Sequence, residues 1–143
     1  MRIFKFGGAS VKDADAVRNV AKILKTYEGE ELVVVVSAMG KTTNVLEAIM
    51  QSFANGDQKD ARRQVDALYI FHQTILAELF SSSSHAPNGA IDALFEALKT
   101  RIEGSFSGDF HFEYDQLISF GELLSTTIVN AYLKNEGFSS AWA

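Results

Sequence analysis

The sequence predicts an α/β fold in which helices layer against a mainly parallel sheet. Two short apolar segments, Arg2–Phe6 and Glu31–Ser37, have strand character, and the second holds a run of valines from Val33 to Val36. Between them, Ala14, Val17, Val20, Ala21 and Leu24 recur at helical spacing, with lysines and an arginine on the other side. Strand, helix and strand in that order form a β-α-β unit, whose crossover makes the two strands parallel. The unbroken branched run suits a central strand buried on both faces.

The remaining elements follow in order. Asp13 and Asp15 favour the start of the first helix and Gly29 its end. A loop over Ser37–Thr43 leads into a helix from about Asn44 to Phe53, closed by Asn55-Gly56. From Asp57 to Phe80 the pattern is again helical, with Val65, Leu68, Tyr69, His72, Ile75, Leu76 and Leu79 on one face. Ser81 to Ser84 and the sole proline, Pro87, mark a loop, and Ile91, Leu94, Phe95 and Leu98 define a helix over Gly89–Ile102. Asp109 to Asn135 reads as helix with a break at Gly121. Gly137 then ends that helix, and Phe138 to Ala143 reads as the opening of a third strand. Three strands with this much helix leave an incomplete sheet with an open edge. The expectation is therefore the N-terminal portion of a larger α/β domain rather than a natural small one.

Composition narrows the function classes. At 143 residues the chain is one domain or part of one, and 47% apolar content is enough for a substantial core. A net charge of −5 without a run of lysine and arginine argues against nucleic acid or an anionic membrane as partner. The absence of cysteine excludes disulfides and thiolate chemistry. The longest apolar run, Leu32 to Val36, is too short to span a bilayer, and no basic segment followed by a long apolar run opens the chain. A soluble, cytoplasmic protein is expected.

Three segments carry chemistry. The first, Lys5-Phe6-Gly7-Gly8-Ala9-Ser10, sets a lysine in an apolar strand that runs into a double glycine and a hydroxyl. Glycines allow a sharp turn, close approach to a ligand and amides aimed at an anion, with Lys5 as the positive charge. The plainer alternative is an edge-strand lysine facing water beside a simple turn. The second, Ser37 to Asn44, lies at the carboxyl end of a strand, where open α/β sheets bind ligands. Its hydroxyls, Ser37, Thr42 and Thr43, can donate to a carboxylate or phosphate, and the next helix adds unpaired amides. Helix capping by Thr43 or Asn44 is the alternative. Gly40-Lys41-Thr42 is not the end of a P-loop, because the required earlier glycine is Val35, and Gly7-Gly8-Ala9 lacks the spaced glycine of a dinucleotide fingerprint. The third segment, Ile118 to Ser125, places Glu122 beside Gly121 in an apolar helix. A carboxylate there wants a cation, unless it is an exposed glutamate in a first helical turn.

Together the three segments resemble the signatures of aspartokinases. Lys-Phe-Gly-Gly-Ala-Ser at 5–10 is similar to the motif that opens that family, Val35–Asn44 to its second motif and Ser119–Ser125 to its third. Order and spacing agree, and Gly137–Trp142 is similar to the strand that follows. The resemblance spans the chain and is weakest between 57 and 108. It implies an amino acid kinase fold, a three-layer sandwich on a mainly parallel sheet. It also implies phosphorylation of the L-aspartate side-chain carboxylate by ATP with Mg2+, the first step toward lysine, threonine and methionine. By position, Lys5 matches the catalytic lysine, while Gly7, Gly8 and Ser10 match the phosphate contacts. Ser37 and Thr43 match aspartate-binding hydroxyls, and Glu122 the acid that meets the substrate's ammonium. Ala9 departs from the family's usual threonine. The resemblance also implies that the rest of the nucleotide pocket and the regulatory ACT domains lie beyond position 143, with homo-oligomeric assembly of the intact enzyme.

These roles agree with the chemistry. Phosphoryl transfer requires positioning and charge neutralisation more than covalent participation by the protein. A carboxylate acceptor is already ionised near neutral pH and needs no general base, so His72, His85 and His111 are assigned no role. Two alternatives stand beside this reading. One is another kinase of the same superfamily, which a substrate panel would separate. The other is a non-catalytic amino-acid-binding module, which would bind aspartate without nucleotide.

Overall fold

The computed structural model describes residues 1–81 and 85–142. Strand β1 covers Arg2–Phe6, helix α1 Ala14–Lys25 and strand β2 Leu32–Val36. Four longer helices follow: α2 Thr42–Ala54, α3 Gln58–Leu79, α4 Asn88–Glu103 and α5 Phe110–Asn135. A single 3-10 turn, Gly8–Val11, joins β1 to α1. The two strands pair in parallel, with Lys5 opposite Val35 and Phe6 opposite Val36. Helix α2 packs on α3 and α5, α3 also on α1 and α4, and α4 on α5, which reaches back to β2.

Local chemistry explains most of the boundaries. Asp13, Asp57 and Asp109 cap α1, α3 and α5 by accepting from the amides of Ala16, Asp60 and Phe112. Gly56, at φ +76, closes α2 in the left-handed region. The core is built where helical faces meet: Leu46, Ile49 and Met50 of α2, Val65 of α3, Phe95 and Leu98 of α4, and Leu117, Leu124 and Ile128 of α5 are all buried. Each such side chain contributes about 1.5–3 kcal/mol by leaving water. At the start of α5, buried Glu113 is paired with Arg101 of α4 at 3.0 Å, and the guanidinium also lies over the Phe112 ring. Tyr114 donates to Glu47 of α2 at 2.8 Å, a bond that holds its phenol above the usual pKa.

Three expectations are corrected. The valine run is covered on one face only: Val34 and Val36 turn inward with Phe4 and Phe6, whereas Val33, Val35 and Ile3 are 42%, 46% and 70% exposed. The cause is geometric, since side chains alternate across a strand and the described helices cover one side of this two-stranded sheet. Helix α5 runs through Gly121 without a break, because that glycine serves close packing. Phe138 to Trp142 forms no strand, having no ladder partner among the described residues. Residues 82–84 of the expected serine loop, and Ala143, lie outside the described residues. No described helix is long and apolar enough to cross a membrane.

His72 is fully buried in α3, with Nδ1 on the Leu68 carbonyl at 2.9 Å and Nε2 without a partner among the described residues. Desolvation lowers its pKa from the ordinary 6.5. The folded chain therefore keeps this imidazole neutral while the unfolded chain takes up a proton below about pH 6.5, so stability must fall as pH falls through that window. The limiting slope is about 1.4 kcal/mol per pH unit. Asp60 adds its own loss only in stronger acid, since hydrogen bonds from Ser52, Arg63 and Gln64 lower its pKa to about 2. Urea unfolding at a series of pH values should show a decline between pH 6.5 and 5 that flattens in His72→Leu; an unchanged profile would refute the assignment.

Candidate functional site

Three segments distant in sequence meet at the loop after β2. Backbone bonds bring in the first: Ser37 N donates to Phe6 O at 2.9 Å, and Gly40 N donates to Gly8 O at 3.0 Å. The approach at Gly8 is so close that a Cβ there would lie 2.9 Å from Gly40 O and 3.0 Å from Ala38 O. The third segment arrives on α5. A Cβ at Gly121 would lie 2.8 Å from Ala38 Cβ and 3.2 Å from Leu46 Cδ1, and Ser125 Oγ donates to Ser37 O at 2.6 Å. Gly40 itself has φ +56 and rests against Phe71 of α3.

Hydroxyls around this junction divide into two sets. Thr42 is buried and donates to Met39 O at 2.6 Å, so it is not available to a ligand, contrary to the sequence reading. Ser119, Thr126 and Thr127 of α5 donate to carbonyls of their own helix. In contrast, the side chains of Lys5, Ser10, Ser37, Thr43 and Glu122 make no hydrogen bond or ion pair among the described residues. Ser37 is the clearest case: both its main-chain groups are held, from β1 and from α5, while its hydroxyl stays free. Thr43 is the second residue of α2, whose N-terminus carries no side-chain cap. Neither Thr43 nor Asn44 performs the capping considered for them; the Thr42 amide is held by Met39 O at 3.0 Å, and the amides that follow it, of Thr43 and Asn44, are the ones an anion could reach.

Lys5 lies on the exposed face of the sheet, between Ile3 and the valines Val33 and Val35 in register. Glu122 is also exposed, and it lies well inside α5 rather than in a first turn. The apolar, partner-seeking environment expected for it is absent among the described residues. What the structure gives it instead is a backbone pressed against the loop at Gly121. Gly7 differs from Gly8: at φ −75 and ψ 176 it has ordinary extended geometry, and a Cβ there would meet nothing within 4 Å. Ser125 was missed as a site residue in the sequence, although its spacing of four from Gly121 puts both on one helical face. Among the described residues no group of three or more histidine, aspartate or glutamate side chains is placed to hold a metal ion.

The chain belongs to the amino acid kinase family, whose profile matches residues 1–143. Within that family it is similar to aspartokinases. It is 31% identical to the chloroplastic aspartokinase 2 of Arabidopsis thaliana, over 94% of this chain and 25% of the relative. It is 29% identical to the lysine-sensitive aspartokinase 3 of Escherichia coli, over 98% of this chain and 30% of the relative. The structure of E. coli aspartokinase III in complex with aspartate and ADP superposes with a TM-score of 0.83 at 28% identity, covering all of this chain and 31% of that one. The same enzyme in complex with lysine and aspartate gives a TM-score of 0.81. The fold is thus the amino acid kinase architecture in its N-terminal part. The chain spans between a quarter and a third of the length of these relatives.

The junction makes a direct prediction for the glycines. Gly8→Ala and Gly121→Ala should each destabilise the fold by roughly 1–3 kcal/mol, because their new methyl groups meet backbone carbonyls or a packed Cβ. Gly7→Ala should stay within about 0.5 kcal/mol of the parent. Equilibrium denaturation distinguishes the three, and equal effects at Gly7 and Gly8 would contradict the packing described.

Proposed function

We propose that this chain is the N-terminal portion of an aspartate kinase catalytic domain. In this reading the side-chain carboxylate of L-aspartate attacks the γ-phosphorus of ATP to give 4-phospho-L-aspartate and ADP. The product would open the route to lysine, threonine and methionine. The observation that carries the reading is the junction at residues 37–40, where the turn following Lys5 and the helix bearing Glu122 meet one loop. The likeness to a structure holding aspartate and ADP supports both substrates.

The roles follow from charge. An aspartate acceptor brings two carboxylates and an ammonium. The hydroxyls of Ser37 and Thr43, with the Thr43 and Asn44 amides at the start of α2, suit the carboxylates, and Glu122 suits the ammonium. Lys5 and the amides around Gly7 and Gly8, with Ser10, offset charge on the transferring phosphoryl group, as preorganised donors do. Gly7 keeps its missing side chain for the ligand, since nothing in the protein demands it there. Magnesium would enter as part of the nucleotide substrate, held by its phosphates rather than by a side chain of this chain, and would supply charge neutralisation there. The adenine pocket, further triphosphate contacts and regulatory domains are assigned to sequence outside residues 1–143.

Two tests follow. In the full-length enzyme containing this segment, Lys5→Ala should lower kcat by about 100-fold or more with little change in aspartate KM. Glu122→Ala should raise aspartate KM by about tenfold or more and leave ATP KM nearly unchanged. Normal turnover in the lysine variant would sink the catalytic assignment. The 143-residue chain alone, given ATP, magnesium, aspartate and hydroxylamine, should yield no aspartyl hydroxamate; clear product would show that the remaining pocket is dispensable.

A further inference from the structure

Among the α5 hydroxyls at this junction, Ser125 does something its neighbours do not. Ser119, Thr126 and Thr127 return their protons to carbonyls of their own helix, the easy solution for a helical hydroxyl. Ser125 is fully buried and instead crosses 88 positions of sequence to donate to Ser37 O at 2.6 Å. Ser37 N is held from the other side by Phe6 O. The residue that offers a free hydroxyl to the loop is therefore clamped by its own main chain, with α5 as one jaw.

Helix α5 docks on this loop through two residues a turn apart. Gly121 meets Ala38 and sets how closely the helix can approach. Packing against a glycine is not directional, so this contact sets a distance between helix and loop rather than a register. A hydrogen bond is directional, and the one from Ser125 sets the register of the helix against the loop. Glu122 rides on the same turn, three residues before Ser125 and next to Gly121.

We propose that Ser125 is a positioning residue for the amino-acid subsite: its bond to the Ser37 carbonyl sets the separation between the Ser37 hydroxyl and the Glu122 carboxylate. The inference rests on the reading of those two groups as aspartate contacts. The Lys5 strand and the Gly7-Gly8 turn are tied to the loop by separate backbone bonds at Phe6 and Gly8, so the nucleotide side does not depend on Ser125. Its loss should loosen the grip on the acceptor without altering the donor.

The test is steady-state kinetics of the full-length enzyme, with thermal unfolding to confirm the folded state. Ser125→Ala should raise aspartate KM by about five- to twentyfold, the scale of one lost hydrogen bond with its carbonyl left unpaired, while ATP KM and kcat stay within about threefold. Ser125→Cys, with a weak donor of similar shape, should fall between the two. Thr127→Val removes a hydroxyl that bonds only its own helix and should leave every constant unchanged. An unaltered aspartate KM in a folded Ser125→Ala protein overturns the proposal, and so does a parallel change in both KM values and kcat. If the alanine variant does not fold, the cysteine variant decides by the same criterion. A wild-type enzyme without aspartate-dependent turnover overturns the kinase reading and this inference with it, whereas normal wild-type kinetics beside an unaffected Ser125→Ala overturns this inference alone.

Discussion

Backbone meets backbone at residues 37–40, and the arrangement of this molecule depends on that contact. A carbonyl oxygen can sit about 3 Å from the Cα substituent position of Gly8 only because no substituent is there. Where α5 crosses Ala38 at Gly121, the atom that fills the place of a Cβ is the Ala38 methyl instead. These approaches let Ser37 and Gly40 bond to Phe6 and Gly8, extending the contact between the two strands past their ends. Wider spacing at either glycine would separate the loop from β1 or from α5.

Fixing the main chain while leaving side chains free is a form of preorganisation. Ser37 shows it most clearly, because its amide and carbonyl are both held and its hydroxyl is not. Thr42 and Thr43 show the division between adjacent residues: one is buried against Met39 and shapes the loop, the other is exposed on the first turn of α2. Chemically they are interchangeable. Only their rotation about the helix axis, about 100° per residue, buries one in the loop and leaves the other exposed.

The sheet illustrates where sequence patterns mislead. Four valines in a row fit a strand covered on both sides, yet composition cannot report what lies across from each face. In this chain Phe4, Phe6, Val34 and Val36 supply the covered side, and Lys5 shares the other with Ile3, Val33 and Val35. Gly121 misled in the opposite direction. Helix propensity alone makes glycine a candidate break, but a residue without Cβ is also what a close crossing requires, and packing outweighed propensity.

Much was legible in the chain itself: the β-α-β opening, the parallel pairing, five helices with boundaries near Asp13, Asp57 and Asp109, and the kinase family. Those features depend on local periodicity, capping chemistry and short motifs, which act within a few residues of where they are written. The candidate site was legible as a roster of Lys5, Gly7, Gly8, Ser10, Ser37, Thr43 and Glu122, carried by resemblance. What only the tertiary structure decided was which of two adjacent threonines is free, why the packing of Gly8 and Gly121 excludes a side chain while that of Gly7 does not, and that Ser125 reaches the Ser37 carbonyl. The glycine and Ser125 contacts depend on distances between segments 30 to 90 residues apart, and no local pattern encodes such a distance until the core has packed; the threonines are told apart by a bond within the turn, Thr42 to Met39 O.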